Sequence, residues 1–233
     1  MKNVDDQLKA LLENRPDIKI VDLDNPITGS KTLNEQLKTG TTTCGLKVDG
    51  GVVLAGDRRA TAGAFVASKV ANKVNRLTDF IWMTIAGGVA DAQYLIDVMA
   101  ANAYLFEMRR KRKMPVKSLG WMLGNMLFRN KMTPFEVGLI VGGYTPEEGP
   151  VLLDIDGYGS VLPSDFTSIG SGSHVCIGVL EANWKPGLSP EEGKDLAVKA
   201  VRTSIARDIF TGNAVDVVVI TASGYQFDRL PPK

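Results

Sequence analysis

A chain of 233 residues that is 44% hydrophobic is long enough for one large domain or two small ones, with a sizeable core. Its 27 lysines and arginines balance 26 aspartates and glutamates, and a net charge of +1 supplies no field that would hold nucleic acid or an anionic membrane surface. Two cysteines, Cys44 and Cys176, cannot build a disulfide framework, and no Asn-x-Ser/Thr acceptor occurs, so a reducing, cytoplasmic setting is expected.

Residues 1–40 are rich in charge, contain Pro16 and Pro26, and have no unbroken apolar run, which excludes a secretory signal or a membrane span in this stretch. They read as an appendage to a domain over residues 41–233. From Thr41 the texture changes. TTTCGLKV and GVVLAGD predict two strands joined by a tight turn at Asp49-Gly50. FVASK, KVNRL and FIWMTIAGG predict a continuing sheet that closes at Gly87 and Gly88. ADAQYLIDVMAANAYLFEMRRKRKMP has apolar residues at helical spacing and ends in bases before Pro115, and a second helix is predicted in VKSLGWMLGNMLFRN. FEVGLIVGGY, GPVLLDIDGYGSVLPS and DFTSIGSGS predict strands of a second sheet. Ser189, Pro190 and Glu192 form a capping-box signature that opens a helix running through residues 191–210, and VDVVVIT is the last predicted strand. Strands, two helices, strands, helices and a strand suit two sheets between helical layers, an α+β, four-layer αββα sandwich, better than a doubly wound parallel sheet.

Chemistry is limited first by what is scarce. His174 is the one histidine, so every Ser-His-Asp or Cys-His arrangement must pass through it, and after GSGS it reads as a surface or capping residue. One histidine and two distant cysteines cannot form a zinc cage, and DIDG at 154–157 lacks the other oxygen ligands of a calcium loop, so no metal or cofactor is expected. GSGS at 170–173 reads as a strand-to-helix turn, with phosphate binding the weaker reading without a GxxxxGK[ST]. The bases at 109–113 close a helix and complement its dipole. What remains is a threonine whose own α-amine accepts its hydroxyl proton, an amine with an ordinary pKa of about 7.7–8.0. TTT at 41–43 behind Gly40 offers this if Gly40-Thr41 is cleaved, which would make residues 1–40 a propeptide. A threonine-rich first strand behind an ordinary leader is the other reading of the same letters.

From Thr41 to about Arg229 the sequence resembles the β subunits of the 20S proteasome, of the archaeal or actinobacterial type, which have the N-terminal nucleophile hydrolase fold. The resemblance rests on TGTTTCGLK at 39–47, GDRRAT at 56–61, the lysine of ANKV at 71–74, TIAGGVADAQ at 84–93, GSGS at 170–173, and ARD followed by TG at 206–212. It implies a threonine endopeptidase in which Thr41 is the nucleophile, Asp57 and Lys73 a buried pair beside it, Ser171, Asp208 and Thr211 the network around its amine, and the Gly87 N–H the oxyanion donor. Thr211 stands where the family commonly has serine, and Cys44 where a small apolar residue is usual. The first substrate pocket is implied at Ala60, Ala71, Ile85 and Val89, with the peptide running as a strand against Thr61, Gly87 and Val89. Such a pocket predicts cleavage after hydrophobic residues. The resemblance also implies seven-membered β rings, two of them stacked between rings of α subunits, and a regulatory ATPase. A structural ring subunit with its propeptide retained, an N-terminal hydrolase acting on a small amide, and a bacterial two-ring relative are the competing assignments. The presence of Gly40, Thr41 and Lys73 argues against the first, the apolar pocket against the second, and the leader with the ARD block against the third.

Overall fold

The computed structural model describes residues 40–232, so all but the last residue of the leader assigned to residues 1–40 lies outside the described part. Its elements in chain order are β1 (Thr43–Val48), β2 (Gly51–Asp57), β3 (Ala60–Ala62), β4 (Phe65–Ser68), β5 (Val74–Arg76), β6 (Ile81–Gly87), α1 (Val89–Arg110) and α2 (Val116–Arg129). They continue with β7 (Val137–Thr145), β8 (Gly149–Asp156), β9 (Val161–Pro163), β10 (Phe166–Ile169), α3 (Ser173–Asn183), α4 (Pro190–Ile205), β11 (Val215–Thr221) and β12 (Gly224–Leu230).

The strands form two five-stranded antiparallel sheets, ordered β10-β1-β2-β11-β12 and β5-β6-β7-β8-β9, and a separate β3-β4 hairpin. The expected αββα sandwich follows from how side chains alternate along the central strands. β2 is buried at every position. Because successive side chains of a strand point to opposite faces, Val53 and Ala55 join one cluster with Leu180, Leu196 and Val201 of α3 and α4, while Val52 and Leu54 join another with Ile140 and Leu152 of the second sheet. β7 does the same from the other side: Leu139 and Val141 pack with Leu95, Leu119 and Leu123 of α1 and α2, and Ile140 faces inward. Each fully buried aliphatic side chain in these layers contributes roughly 1.5–3 kcal/mol of transfer free energy.

The turn at Asp49-Gly50 and the Ser189 cap form as expected. Val48 faces Gly51 across the hairpin, the Ser189 hydroxyl accepts from the Glu192 N–H at 3.3 Å, and the Glu192 carboxylate accepts from the Ser189 N–H at 2.9 Å. Four expectations differ. FVASK joins neither large sheet and forms the β3-β4 hairpin, while β5 and β6 lie in the second sheet rather than continuing the first. β10 leaves the second sheet to pair with β1, Thr43 opposite Ile169. α4 stops at Ile205 rather than Phe210, which frees residues 206–212 to fold back toward Thr41. A further strand, β12, completes the edge of the first sheet, and its Phe227 stacks on Trp82 with ring centroids 5.7 Å apart. Both cysteines are core residues. The Cys44 thiol is held well above the usual range, first by its hydrogen bond with Cys176 on α3 and then by burial, so it is a neutral packing group.

Candidate active site

Three chain segments meet at the start of β1. The last residue of β2, Asp57, is fully buried, and its carboxylate accepts four hydrogen bonds: from the Thr42 N–H at 2.8 Å and the Lys73 ammonium at 2.8 Å on one oxygen, and from the Arg59 N–H at 3.0 Å and the Gly212 N–H at 2.9 Å on the other. Lys73, just before β5, also donates to the Gly40 carbonyl at 3.3 Å. Burial pushes the Lys73 ammonium below the usual lysine range, and the Asp57 charge opposes that shift.

The second segment is the turn between β10 and α3. Gly170 has φ 106° there, a conformation that favours glycine, and a Cβ on it would lie 2.2 Å from the Thr41 carbonyl oxygen. The turn thereby brings the Ser171 hydroxyl oxygen to 3.0 Å from the Thr41 backbone nitrogen, which donates to it. Ser171 in turn donates to the Asp208 carboxylate at 2.5 Å.

The third segment is the loop released by the early end of α4. Asp208 accepts a second hydroxyl, Thr211, at 2.5 Å, and the Thr211 oxygen lies 2.7 Å from that of Thr42. The hydroxyl carried by threonine at 211 therefore keeps its bond to the aspartate. Arg59 braces this loop, reaching the Ile209 carbonyl at 2.9 Å and Asn213 at 3.2 Å. The three threonines have separate surroundings: Thr41 meets Ser171, Thr42 meets Thr211 and Asp57, and the Thr43 hydroxyl accepts from Thr84 at 3.2 Å.

A cavity of about 370 Å³ opens beside Thr41 and Lys73, and its lining brings together Ala60, Ala71, Ile85 and Val89 with Gly87, Asn72, Asn75 and Gln93. The three amides are an addition to the all-apolar lining read from the sequence. Gly87 has φ 107°, and a Cβ there would sit 2.0 Å from the Glu136 carbonyl oxygen, so only glycine fits where β6 turns into α1. Thr61 is buried on β3 and lines the adjoining cavity with Ala60 and Val89. His174 is exposed on α3, outside the cluster.

The sequence did not single out Thr42, which donates to Asp57, or Arg59, Asn213 and Phe210, which fix the loop around Asp208. Of the two arginines of GDRRAT, Arg59 is the one that reaches this loop. Arg58, the first, turns the other way to pair with buried Asp216, which Arg229 also holds at 2.8 Å.

Stacked antiparallel sheets clad by helices, with a threonine leading the first strand against a buried lysine–aspartate pair, define a threonine-type peptidase. The family model described as Proteasome subunit matches residues 37–220. The chain is 44% identical to the protein named Proteasome subunit beta of Methanocorpusculum labreanum over 195 residues, 83% of this chain and 92% of that protein. It is 46% identical to Proteasome subunit beta 2 of Hyperthermus butylicus over 187 residues, 80% of this chain and 87% of that one, and 39% identical to Proteasome subunit beta 2 of Cenarchaeum symbiosum over 197 residues, 84% and 93%. The chain belongs to the proteasome subunit family. No described helix is long and apolar enough to cross a membrane.

Proposed function

We propose that the chain is a precursor whose Gly40-Thr41 bond is cut to free the Thr41 amine, after which Thr41 hydrolyses peptide bonds of unfolded proteins. The observation that carries this is the position of that one bond: the Gly40 carbonyl meets the Lys73 ammonium at 3.3 Å while the Thr41 nitrogen meets Ser171 at 3.0 Å. In self-cleavage the Thr41 oxygen adds to the Gly40 carbonyl carbon and the C–N bond breaks. The hydroxyl proton ends on the departing nitrogen, leaving an ester and a free amine. Water then cleaves the ester to give the Gly40 carboxylate and restore the hydroxyl.

In turnover the freed amine takes the Thr41 hydroxyl proton and returns it to the leaving amine of the substrate. Lys73 favours the alkoxide and keeps the amine neutral, and Asp57 holds Lys73 in place. Ser171, Asp208 and Thr211 orient the amine. The Gly87 N–H serves as oxyanion donor, a role worth about 3–4 kcal/mol of transition-state stabilisation. Family membership supports assembly with α subunits and other β subunits in stacked rings, so that the site faces an enclosed cytoplasmic chamber fed by a regulatory ATPase.

Intact mass of the subunit from the assembled particle tests the reading: residues 1–40 should be gone, with Thr41 first. A full-length mass after complete assembly would replace the peptidase with a structural ring subunit.

The walls at Ala60, Ala71, Ile85 and Val89 support cleavage after hydrophobic residues, since a charged side chain against them would lose hydration that apolar walls do not replace. In a series of peptides differing only in the residue before the cut, kcat/KM for leucine or phenylalanine is expected to exceed that for lysine or aspartate by at least ~10-fold, the factor that about 1.4 kcal/mol supplies. Equal values would remove this cavity from specificity.

A further inference from the structure

Residue 40 is gripped on every side it presents. Its N–H donates to the Thr61 hydroxyl oxygen at 2.9 Å, and its carbonyl accepts from Lys73 at 3.3 Å. On the third side a Cβ built on Gly40 would lie 1.7 Å from the Cβ of Phe210 and 2.9 Å from its Cα. No side-chain rotation relieves a collision between two Cβ atoms, because both are fixed by backbone. Phe210 is in turn fixed by its own N–H, which donates to Asp208 at 3.1 Å, and by Arg59 on the preceding carbonyl. The loop that carries Asp208 and Thr211 to the amine therefore also forms a wall against the residue that leaves.

We infer that Thr61 and Phe210 are positioning residues for self-cleavage: the Thr61 hydroxyl and the backbone-proximal part of Phe210 form a seat that admits only glycine at 40 and sets its carbonyl against Lys73 and the Thr41 hydroxyl. This rests on the precursor reading above. The Gly40 N–H that the Thr61 hydroxyl accepts from departs with the leader, so this contact acts on the first cut. Displacing the carbonyl by the ~1 Å needed to clear a Cβ is of the size that costs ~100-fold in rate.

The test follows self-cleavage in the assembled particle by intact mass against time. Gly40→Ala is expected to slow the loss of residues 1–40 by at least ~100-fold. Phe210→Gly, which removes the opposing Cβ, should then recover at least ~10-fold in the Gly40→Ala background, a coupling between neighbours that independent sites do not show. Phe210→Ala keeps the Cβ and should recover nothing. Thr61→Val should slow cleavage ~10-fold and Thr61→Ser restore it, by the ~1.4 kcal/mol scale of one buried hydrogen bond. Additive effects of Gly40→Ala and Phe210→Gly, or wild-type cleavage by Thr61→Val, would each overturn the seat while leaving wild-type processing intact. If Phe210→Gly prevents assembly, the Thr61 pair decides alone. Failure of the wild-type chain to process would instead reject the precursor reading.

Discussion

A Thr41→Ala chain in the assembled particle retains the mass of all its residues, and peptide hydrolysis falls by ~10⁴-fold or more, the order lost when a nucleophile is removed from a working unit. Neighbouring hydroxyls cannot substitute. Thr42 is bonded to Thr211 at 2.7 Å and Thr43 to Thr84 at 3.2 Å, so both hydroxyls are already engaged elsewhere. Thr41→Ser keeps a hydroxyl at the same atom and is expected to process. Mass spectrometry and a fluorogenic peptide assay read both effects, and cleavage of Gly40-Thr41 in the alanine variant would move the nucleophile elsewhere.

Breaking the Asp57–Lys73 pair should be asymmetric. Asp57→Ala leaves the buried ammonium with the Gly40 carbonyl alone, and cuts the N–H groups of Thr42, Arg59 and Gly212 loose as well. A loss of about 3–5 kcal/mol is expected, as for other buried ions stripped of a partner. Lys73→Met leaves the carboxylate its three N–H donors and should cost less, while still abolishing self-cleavage. The sign with pH follows from the depressed Lys73 pKa: the folded chain sheds this proton before the unfolded one does, so stability rises with pH through that window. Lys73→Met removes the rise. Urea unfolding at several pH values separates the cases, and equal losses for the two variants would contradict the asymmetry.

The sandwich was legible because its central strands announce themselves. GVVLAGD and VDVVVIT are apolar on both faces, and Asp49-Gly50 and Ser189-Pro190 punctuate cleanly. What the letters hid was pairing between distant segments. FTSI pairs with β1 across more than a hundred residues, and no local pattern separates that from pairing with β9. ARDIF has helical spacing, yet the contacts of Asp208 and Thr211 end α4 before it. GYQFDRL is half-exposed at a sheet edge, so its alternation is diluted by polar residues. Among the proposed site residues, Thr41 could be read from its chemical type behind Gly40, while Asp57 and Lys73 were implied only by the family resemblance. Phe210 and Arg59 act through where the backbone puts them, and composition carries no record of that.

Asp57 ends a strand of one sheet, and Lys73 enters the edge of the other, its carbonyl accepting from Ile85 N–H at 3.0 Å. The ion pair is thus a rivet driven through both layers. Inter-sheet residues such as Ile140 and Leu152, buried in one cluster with Val52 and Leu54 of β2 and Val74 of β5, pack between the same two layers that the pair joins. A shift of one sheet on the other would therefore change the Asp57–Lys73 distance directly.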